Sequence, residues 1–186
     1  MKKGKTINSI EIMSEKLCVD FGGVICNNQR TPKGSTNSFE NPDPKALGYL
    51  LLEQFPDAFE TLRILKERRF PEIFLVSKLT ENIPNVSVEE RVRNYLMYHG
   101  FEEVILGSRM HFCEKREDKV KICAELEAFD YFLDDRLDVL CHMVGTVRNL
   151  FLFDPDRAEG HERWHLVEEG KVTVVRSWRE VHAHLR

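Results

Sequence analysis

Acidic and hydroxyl side chains come directly after short apolar runs at three points in the sequence. Asp20, Ser77 and the pair Asp134 and Asp135 each follow such a run. Runs this short, apolar on both faces, are typical of strands buried in a parallel sheet. Because ligands bind beyond the carboxyl ends of the strands in an open parallel sheet, we expect these side chains to converge on one spot.

A cluster of three carboxylates has a definite chemical consequence. Like charges that lie close together repel and raise one another's pKa unless a cation compensates them. Carboxylate and carbonyl oxygens are hard ligands of the kind that Mg²⁺ prefers. The pattern therefore predicts a Mg²⁺ site at this edge of the sheet.

The elements that must position these residues are read from hydrophobic periodicity. Helix-period stripes begin at Phe55, Val88, Ile122 and Leu137 and alternate with the apolar runs. This alternation predicts an α/β fold, with a doubly wound, mainly parallel sheet. The predicted strands are Leu17–Val19, Ile73–Val76, Val104–Leu106, Tyr131–Leu133 and Leu150–Phe153.

The length of 186 residues predicts a single domain spanning residues 1–186. Residues 26–45 are polar and rich in Pro, Gly, Asn and Ser, so they are interpreted as a long loop over the site. Residues 164–186 are predicted to form a hairpin followed by a helix, which Ser177 and Glu180 begin with capping-box spacing.

Composition excludes several classes of protein. The formal net charge of −4 provides no basic surface for nucleic acid or anionic membrane. No apolar run approaches the roughly 20 residues of a membrane span. Five cysteines, an odd number with no CxxC pair, favour reduced thiols in a cytoplasmic protein over a disulfide framework.

Four short motifs occur in order along residues 17–155. They are VDFGGVI at 19–25, FLVS ending at Ser77, Lys119 near a predicted helix start, and YFLDDR with its acidic pair. In this order the chain resembles the haloacid dehalogenase-like (HAD) hydrolase superfamily. The resemblance implies a Rossmann-like sheet and hydrolysis of a phosphate monoester with Mg²⁺ as cofactor.

The resemblance also implies roles at the metal. Asp20 would attack phosphorus, become an aspartyl-phosphate and ligate Mg²⁺. The backbone carbonyl of Gly22 would supply a second ligand. Asp135 would supply a third, directly or through water, with Asp134 beside it.

Further roles follow for the lysine and the substrate-binding residues. Ser77 would donate to a phosphoryl oxygen, and Lys119 would balance the carboxylates and the developing phosphoryl charge. Lys115 and Lys121 lie close to Lys119 in the sequence and stay open as alternatives for the site lysine.

Residues that contact the rest of the substrate are assigned around the same motifs. Gly23, Ser77, Lys78 and Arg30 are the expected substrate-binding residues. The insert between Asp20 and Ser77 is short, so a small or absent cap is expected. An open site of this kind admits a bulky substrate or needs a partner subunit, in a homo-oligomer, to close it. The sequence does not identify the class of phosphorylated substrate.

One position departs from the family pattern. The second Asp of the first motif, which normally protonates the leaving oxygen, is Gly22 here. Losing positioned acid–base help costs a factor of about 10²–10⁴. Three readings follow: a working phosphatase with another source of acid, a metal-free haloacid dehalogenase, or a non-catalytic binding or regulatory protein. The phosphatase is preferred, because the superfamily that the chain resembles includes branches with Gly at this position. The acidic pair Asp134 and Asp135 argues against the dehalogenase, because a metal-free site has no need of it.

Overall fold

Six parallel strands form one sheet at the centre of the protein, and helices cover both of its faces. The computed structural model describes residues 14–27, 53–78, 87–126, 130–157 and 163–186. The strands are β1 (Leu17–Val19), β2 (Ile73–Lys78), β3 (Met110–Cys113), β4 (Tyr131–Asp134), β5 (Asn149–Phe153) and β6 (Val172–Val175).

The strand order is β3-β2-β1-β4-β5-β6, so the direction of winding reverses at β1. In the register of the sheet, Val19 lies opposite Leu75 of β2 and Leu133 of β4. The next residue, Asp20, therefore leaves the sheet between the carboxyl ends of two neighbouring strands. Open α/β sheets bind ligands at such a switch point. The predicted doubly wound α/β fold is confirmed.

The helices begin and end close to the predicted signals. Ser87 accepts a hydrogen bond from the backbone N–H of Glu90 at 3.0 Å, and Ser177 accepts one from Glu180 at 3.2 Å. Each contact satisfies an amide that the first helical turn leaves unpaired. The helices are α1 (Ala58–Arg68), α2 (Val88–Tyr98), α3 (Asp118–Glu125), α4 (Leu137–Met143), α5 (His165–Glu168) and α6 (Trp178–Leu185).

Successive residues of each strand face opposite sides of the sheet, which creates two hydrophobic cores. Leu17 and Val19 of β1 belong to the core under α1, α2 and α6. Cys18, between them, belongs to the core under α3, α4 and α5. Burial on both faces explains why the central strands are apolar without alternation, as expected of a parallel sheet.

One predicted strand is wrong. Residues 104–106 form no strand, because the backbone N–H groups of Val104 and Ile105 both donate to the carbonyl of Phe101, at 2.9 and 2.8 Å. These bonds close a 3₁₀ turn (Phe101–Glu103) and leave no amide for a sheet ladder. The edge strand is β3, whose middle residues, His111 and Phe112, are half-buried, so its sequence lacks the continuous apolar signal of a central strand.

The predicted C-terminal hairpin is also wrong. Its first arm is the short helix α5, and its second arm, β6, pairs with β5 in the parallel direction. Gly170, with φ of 70°, follows the helix in the left-handed conformation common at helix C-termini. The EEGK segment is thus a helix end rather than a hairpin turn. The final helix after Ser177 is confirmed.

The segment predicted as a loop over the site lies largely outside the described residues. Before it, Cys26 bridges to Gln54 in the antiparallel direction, and the N–H of Asn27 donates to the carbonyl of Glu53 at 2.8 Å. Asn27 and Glu53, which stand at the two ends of the segment that is not described, therefore lie next to each other. Residues 28–52, and with them the expected small or absent cap, are not described. Within the described residues, no helix is both long and apolar enough to cross a bilayer.

The C-terminal helix is joined to the turn that follows β1. Trp178 of α6 is fully buried, and its indole N–H donates to the carbonyl of Val24 at 2.9 Å. Its ring also lies 5.9 Å from that of Phe153 in β5. These contacts pack the last helix onto the sheet and also fix the turn carrying Gly22 and Gly23.

Candidate active site

The switch point gathers the carboxylates that the sequence places at strand ends. The N–H of Asp20 donates to the carbonyl of Leu133 at 2.9 Å, which ties the end of β1 to the end of β4. Ligand oxygens of Asp20, Asp134 and Asp135 all lie within 4.8 Å of one another. The convergence inferred from strand order is therefore present in the structure.

Lys119 reaches this cluster from the first turn of α3. Its Nζ atom lies 2.7 Å from Asp134 Oδ2 and 3.1 Å from Asp20 Oδ1, with the lysine side chain 2% exposed. Burial lowers the pKa of Lys119, but the charges of Asp134 and Asp20 outweigh burial and hold that pKa above its usual range. Lys119 is thus a buried, charged ammonium that lies between two carboxylates.

The neighbouring lysines do not take this place. Lys121 is exposed and pairs with Asp118 at 2.7 Å on the outer surface of α3. Lys115 is also exposed, in the loop before that helix. The lysine at the carboxylates is therefore Lys119.

Asp134 is fully buried and both of its oxygens are already in use. Oδ2 accepts from Lys119, and Oδ1 accepts from the backbone N–H of Arg136 at 2.9 Å. Burial raises the pKa of Asp134 to about 6, an effect that the Lys119 charge partly offsets. These contacts favour Asp134 as the residue that positions Lys119 rather than as a metal ligand.

Asp135 is in a different position, because its carboxylate pairs with no cation among the described residues. Burial raises the pKa of Asp135 to about 8, and the nearby charges of Asp134 and Asp20 add to the shift. A carboxylate placed in this way is stabilised by a second positive charge close to it.

The turn after β1 presents two glycines to the acidic pair. The carbonyl of Phe21 accepts from the N–H groups of Ile25 and Cys26, both at 3.0 Å, which closes the turn. The Gly22 carbonyl accepts no hydrogen bond from any described residue, so it is available as an oxygen ligand.

Gly23 proves to have a steric role that sequence reasoning missed. Its φ is 81°, and a Cβ added there would collide with the Asp135 carboxylate and lie 2.9 Å from the Asp135 Cβ. The N–H of Gly23 donates to the Cys26 carbonyl at 2.8 Å, so it is not available to a substrate. The expected substrate contact of Gly23 stays a prediction, and the structure adds that this glycine makes room for Asp135.

The remaining expected substrate-binding residues lie at the same edge or outside the described part. Ser77 is buried in β2, and its hydroxyl has no hydrogen-bond partner among the described residues. Lys78, the last residue of β2, is half-buried and lines a cavity next to Ser77. Arg30 lies outside the described residues.

The backbone N–H of Arg136 was also missed as a site group. An Asp that ends a strand and accepts from an amide two residues on is a common turn contact. That contact was readable in the order Asp134, Asp135, Arg136, whereas the Trp178 bond to Val24 joins residues too distant in sequence to leave a local signal.

The residues present fit a divalent cation. Asp20 Oδ1 is buried and, although it is ion-paired to Lys119, accepts no well-aligned hydrogen bond from any described residue. The Asp135 carboxylate forms no ion pair with a described residue, and the Gly22 carbonyl accepts no hydrogen bond from one. Three oxygen ligands that hydrogen bonds from the described residues do not satisfy form the kind of set that hard cations occupy.

Comparisons with known proteins identify the fold. No model of a protein family matches the chain, and no curated protein matches its sequence. Solved structures do match. One of them is D,D-heptose 1,7-bisphosphate phosphatase from Burkholderia thailandensis. The alignment covers 92% of this chain and 97% of that chain, with 11% sequence identity and a TM-score of 0.53.

Two further structures are similar over nearly their whole length. The same phosphatase from B. bronchiseptica, complexed with magnesium and phosphate, matches with 10% identity and a TM-score of 0.58, over 92% of this chain and 97% of that one. A dehalogenase matches with 14% identity and a TM-score of 0.60, over 95% and 97%. The chain therefore has a HAD-like, Rossmann-like fold.

The steric role of Gly23 yields a first prediction. We expect Gly23→Ala to lower the free energy of unfolding and to weaken binding of a divalent cation, because the new methyl group displaces Asp135. The measurement is urea denaturation with and without Mg²⁺. Strain at positive φ and the collision together are expected to cost about 2–4 kcal/mol.

Gly145→Ala is the matched control. Gly145 has φ of 86°, but a Cβ there meets nothing within 4 Å, so this variant carries the backbone strain without a collision. We expect it to be destabilised by about 1 kcal/mol and to keep its full response to Mg²⁺. Equal responses to Mg²⁺ in the two variants would contradict the role given to Gly23.

The raised pKa of Asp135 yields a second prediction. An acid with a higher pKa in the folded than in the unfolded chain binds more protons when folded, so stability falls as pH rises from its ordinary value toward about 8. We expect metal-free protein to lose stability over that window. Asp135→Asn, which cannot ionise, should flatten most of the fall and abolish stabilisation by Mg²⁺.

Urea denaturation across pH, in EDTA and in Mg²⁺, makes this measurement. Asp130→Asn is the control, because Asp130 lies at the opposite end of the sheet, where it accepts from the N–H of Lys16. This variant should keep the wild-type slope. If the free energy of unfolding of Asp135→Asn depends on pH as that of the wild type does, then Asp135 is not the acid whose pKa is raised by folding.

Proposed function

We propose that the protein is a Mg²⁺-dependent phosphatase that hydrolyses a phosphate monoester through an aspartyl-phosphate on Asp20. The observation that carries this proposal is the cluster at the switch point, in which Asp20 lies beside a buried ammonium and beside the Asp135 carboxylate, which forms no ion pair with a described residue. The HAD-like fold and its similarity to a phosphatase complexed with magnesium and phosphate support it.

The cation would be held by Asp20, Asp135 and the carbonyl of Gly22. When bound, Mg²⁺ would supply positive charge that draws the phosphoryl oxygens toward the nucleophile and counters the repulsion among the carboxylates. Asp134 would stay outside this set, since Lys119 and the Arg136 amide use both of its oxygens.

The chain's own residues would carry out the transfer. A carboxylate oxygen of Asp20 attacks phosphorus, the bond from phosphorus to the leaving oxygen breaks, and the leaving group takes up a proton. Water then attacks the phosphorus, which releases inorganic phosphate and restores the Asp20 carboxylate. Lys119 and the Ser77 hydroxyl would donate to the phosphoryl oxygens as charge develops on them, so catalysis is mostly positioning and electrostatics.

Protonation of the leaving group is the step for which this chain lacks the residue that the family pattern has. Gly22 stands where the family pattern has an acid, so the proton would come from the 26–45 loop, from water, or not be needed for a good leaving group. A missing general acid lowers the rate by about 10²–10⁴ for poor leaving groups. The protein should therefore discriminate strongly between esters by leaving-group pKa.

Two other functions fit parts of the site less well. One of the structural neighbours is a dehalogenase. Metal-free dehalogenation, however, does not need a carboxylate such as that of Asp135, which forms no ion pair with a described residue. A non-catalytic binding or regulatory protein would explain Gly22. It gives no reason to bury Lys119 against Asp20.

Hydrolysis of p-nitrophenyl phosphate tests the proposal, because this leaving group departs without help from an acid. We expect turnover by the wild type in Mg²⁺, and none above background in EDTA. Asp20→Asn should abolish turnover, since the amide cannot attack phosphorus. Acid quenching of wild type with a ³²P-labelled ester should trap label on the protein, and Asp20→Asn should trap none.

Asp130→Asn serves as the control for changing an Asp to Asn. Asp130 lies at the end of the sheet opposite the site, so its variant should keep wild-type turnover. Turnover that survives in folded Asp20→Asn would overturn the assigned nucleophile. A wild type inactive on every phosphate ester, but still binding a ligand at this edge, would favour the binding protein.

Restoring the missing acid gives a separate prediction. Gly22 is not among the described glycines with positive φ, so the backbone accepts a side chain there. We expect Gly22→Asp to speed hydrolysis of an alkyl phosphate by roughly 10–100-fold and to change p-nitrophenyl phosphate little. Gly22→Asn has the same shape without the acid and should give no gain; an equal gain in both variants would contradict the acid role.

A further inference from the structure

A charged cavity adjoins the candidate site on the side of β2. Its volume is about 320 Å³, within the range of small-molecule sites. Lys78, the loop at residues 114–117, and Asp138 and His142 of α4 line it, with Arg163 closing one side. None of these residues has been given a role in phosphoryl transfer by the chemistry above, apart from the expected substrate contact of Lys78.

The chain connectivity places this cavity next to the phosphoryl site. Lys78 directly follows Ser77, and the loop at 114–117 runs from the end of β3 to the helix that carries Lys119. Asp138 comes three residues after Asp135, in the first turn of α4. Apart from Arg163, which precedes α5, the lining residues therefore belong to segments that adjoin a site residue in the sequence.

Several cations of the cavity lack an anionic partner. Lys78, Lys115 and Arg163 form no ion pair with a carboxylate of any described residue. Arg163 donates instead to the sulfur of Cys141, at 3.2 Å. Lys115 interacts electrostatically with Asp118 on α3 but forms no ion pair with it. A guanidinium without a carboxylate partner, beside two ammonium groups that form no ion pair, attracts an external anion.

The acidic residues of the cavity do not cancel this charge. Asp138 is engaged by two arginines, Arg116 at 3.2 Å and Arg136 at 3.2 Å. Glu114 and Glu117 are exposed, as is Lys115, so water screens all three charges. The half-buried lining residues without a carboxylate partner are Lys78 and Arg163, so the less exposed part of the cavity is cationic.

We propose that this cavity is a subsite for a second anionic group of the substrate, a phosphate or a carboxylate, held by Lys78, Lys115 and Arg163. The inference rests on the proposed function, because it assumes that the first phosphate lies at Asp20. It identifies the substrate class as a small molecule with a phosphate monoester at one end and an anion at the other.

The test compares ligands with one and two anionic ends, with Mg²⁺ present and calorimetric titration as the readout. Methylphosphonate occupies the phosphoryl site alone. Alkane bisphosphonates and phosphonocarboxylates of increasing chain length also probe the cavity, and comparing the two series shows which second anion is preferred. We expect the best-fitting length to bind about tenfold tighter than methylphosphonate.

Two variants test the cations directly. Arg163→Gln and Lys115→Gln should each shrink the affinity ratio between the best two-ended ligand and methylphosphonate by about three- to tenfold, since partly exposed ion pairs are modest in strength. Arg148→Gln and Lys171→Gln are matched controls at exposed ion pairs away from the cavity, and should leave the ratio unchanged.

The outcomes separate this inference from the proposed function. A two-ended ligand that binds no tighter than methylphosphonate at any length, or a ratio unchanged in both cavity variants, would overturn the subsite even if p-nitrophenyl phosphate is hydrolysed. Two-ended ligands that bind through Arg163 and Lys115 while methylphosphonate does not bind would also overturn it as a subsite. Absent turnover alone, with the ratio behaving as expected, would count against catalysis only.

Discussion

The buried ammonium of Lys119 is the interaction on which the candidate site depends. A charge in this position is expensive to desolvate, and only close carboxylates make it tolerable. Asp134 and Asp20 supply them, and the backbone N–H of Arg136 fixes the orientation of Asp134. Removing any partner leaves an uncompensated buried charge. The ion pairs therefore join β1, α3 and β4 into one unit, and Asp20 is held in place by electrostatics as much as by the sheet.

The parallel sheet makes this arrangement accessible to a ligand. Because winding reverses at β1, the crossovers to the strands on either side run in opposite directions, which in open sheets of this kind leaves a crevice at the carboxyl end of the strand. The turn after β1 is then packed from behind by Trp178, which comes from the far end of the chain. Gly23 keeps that turn close to Asp135 without a collision. Stability and access are thus provided by different elements, the helices on the two faces and the open edge of the sheet.

Strand-end residues were predictable because parallel strands align their carboxyl ends, whatever the details of packing. Asp20, Ser77, Asp134 and Asp135 needed only that rule and the family motifs. The prediction of a strand at Val104–Leu106 was wrong because an apolar triplet is equally suited to a buried turn. The true edge strand, β3, is only half-buried in its middle and lacks the apolar signal. The hairpin prediction was wrong because a glycine such as Gly170 is common both at helix C-termini and in hairpin turns. The steric role of Gly23 required knowing where Asp135 lies, which no local pattern encodes.

Charge balance links the candidate site to the cavity beside it. The three carboxylates and the one ammonium of the cluster carry two net negative charges, which a divalent cation would cancel. A phosphate monoester then arrives at a site with no surplus positive charge and adds nearly two negative ones. Hydroxyl and amide donors can orient the phosphoryl group but cannot neutralise it. Lys78, Lys115 and Arg163 of the cavity form no ion pair with a described carboxylate, so in the proposed subsite they attract the substrate as a whole, and the substrate gains most when its second end is an anion that reaches them.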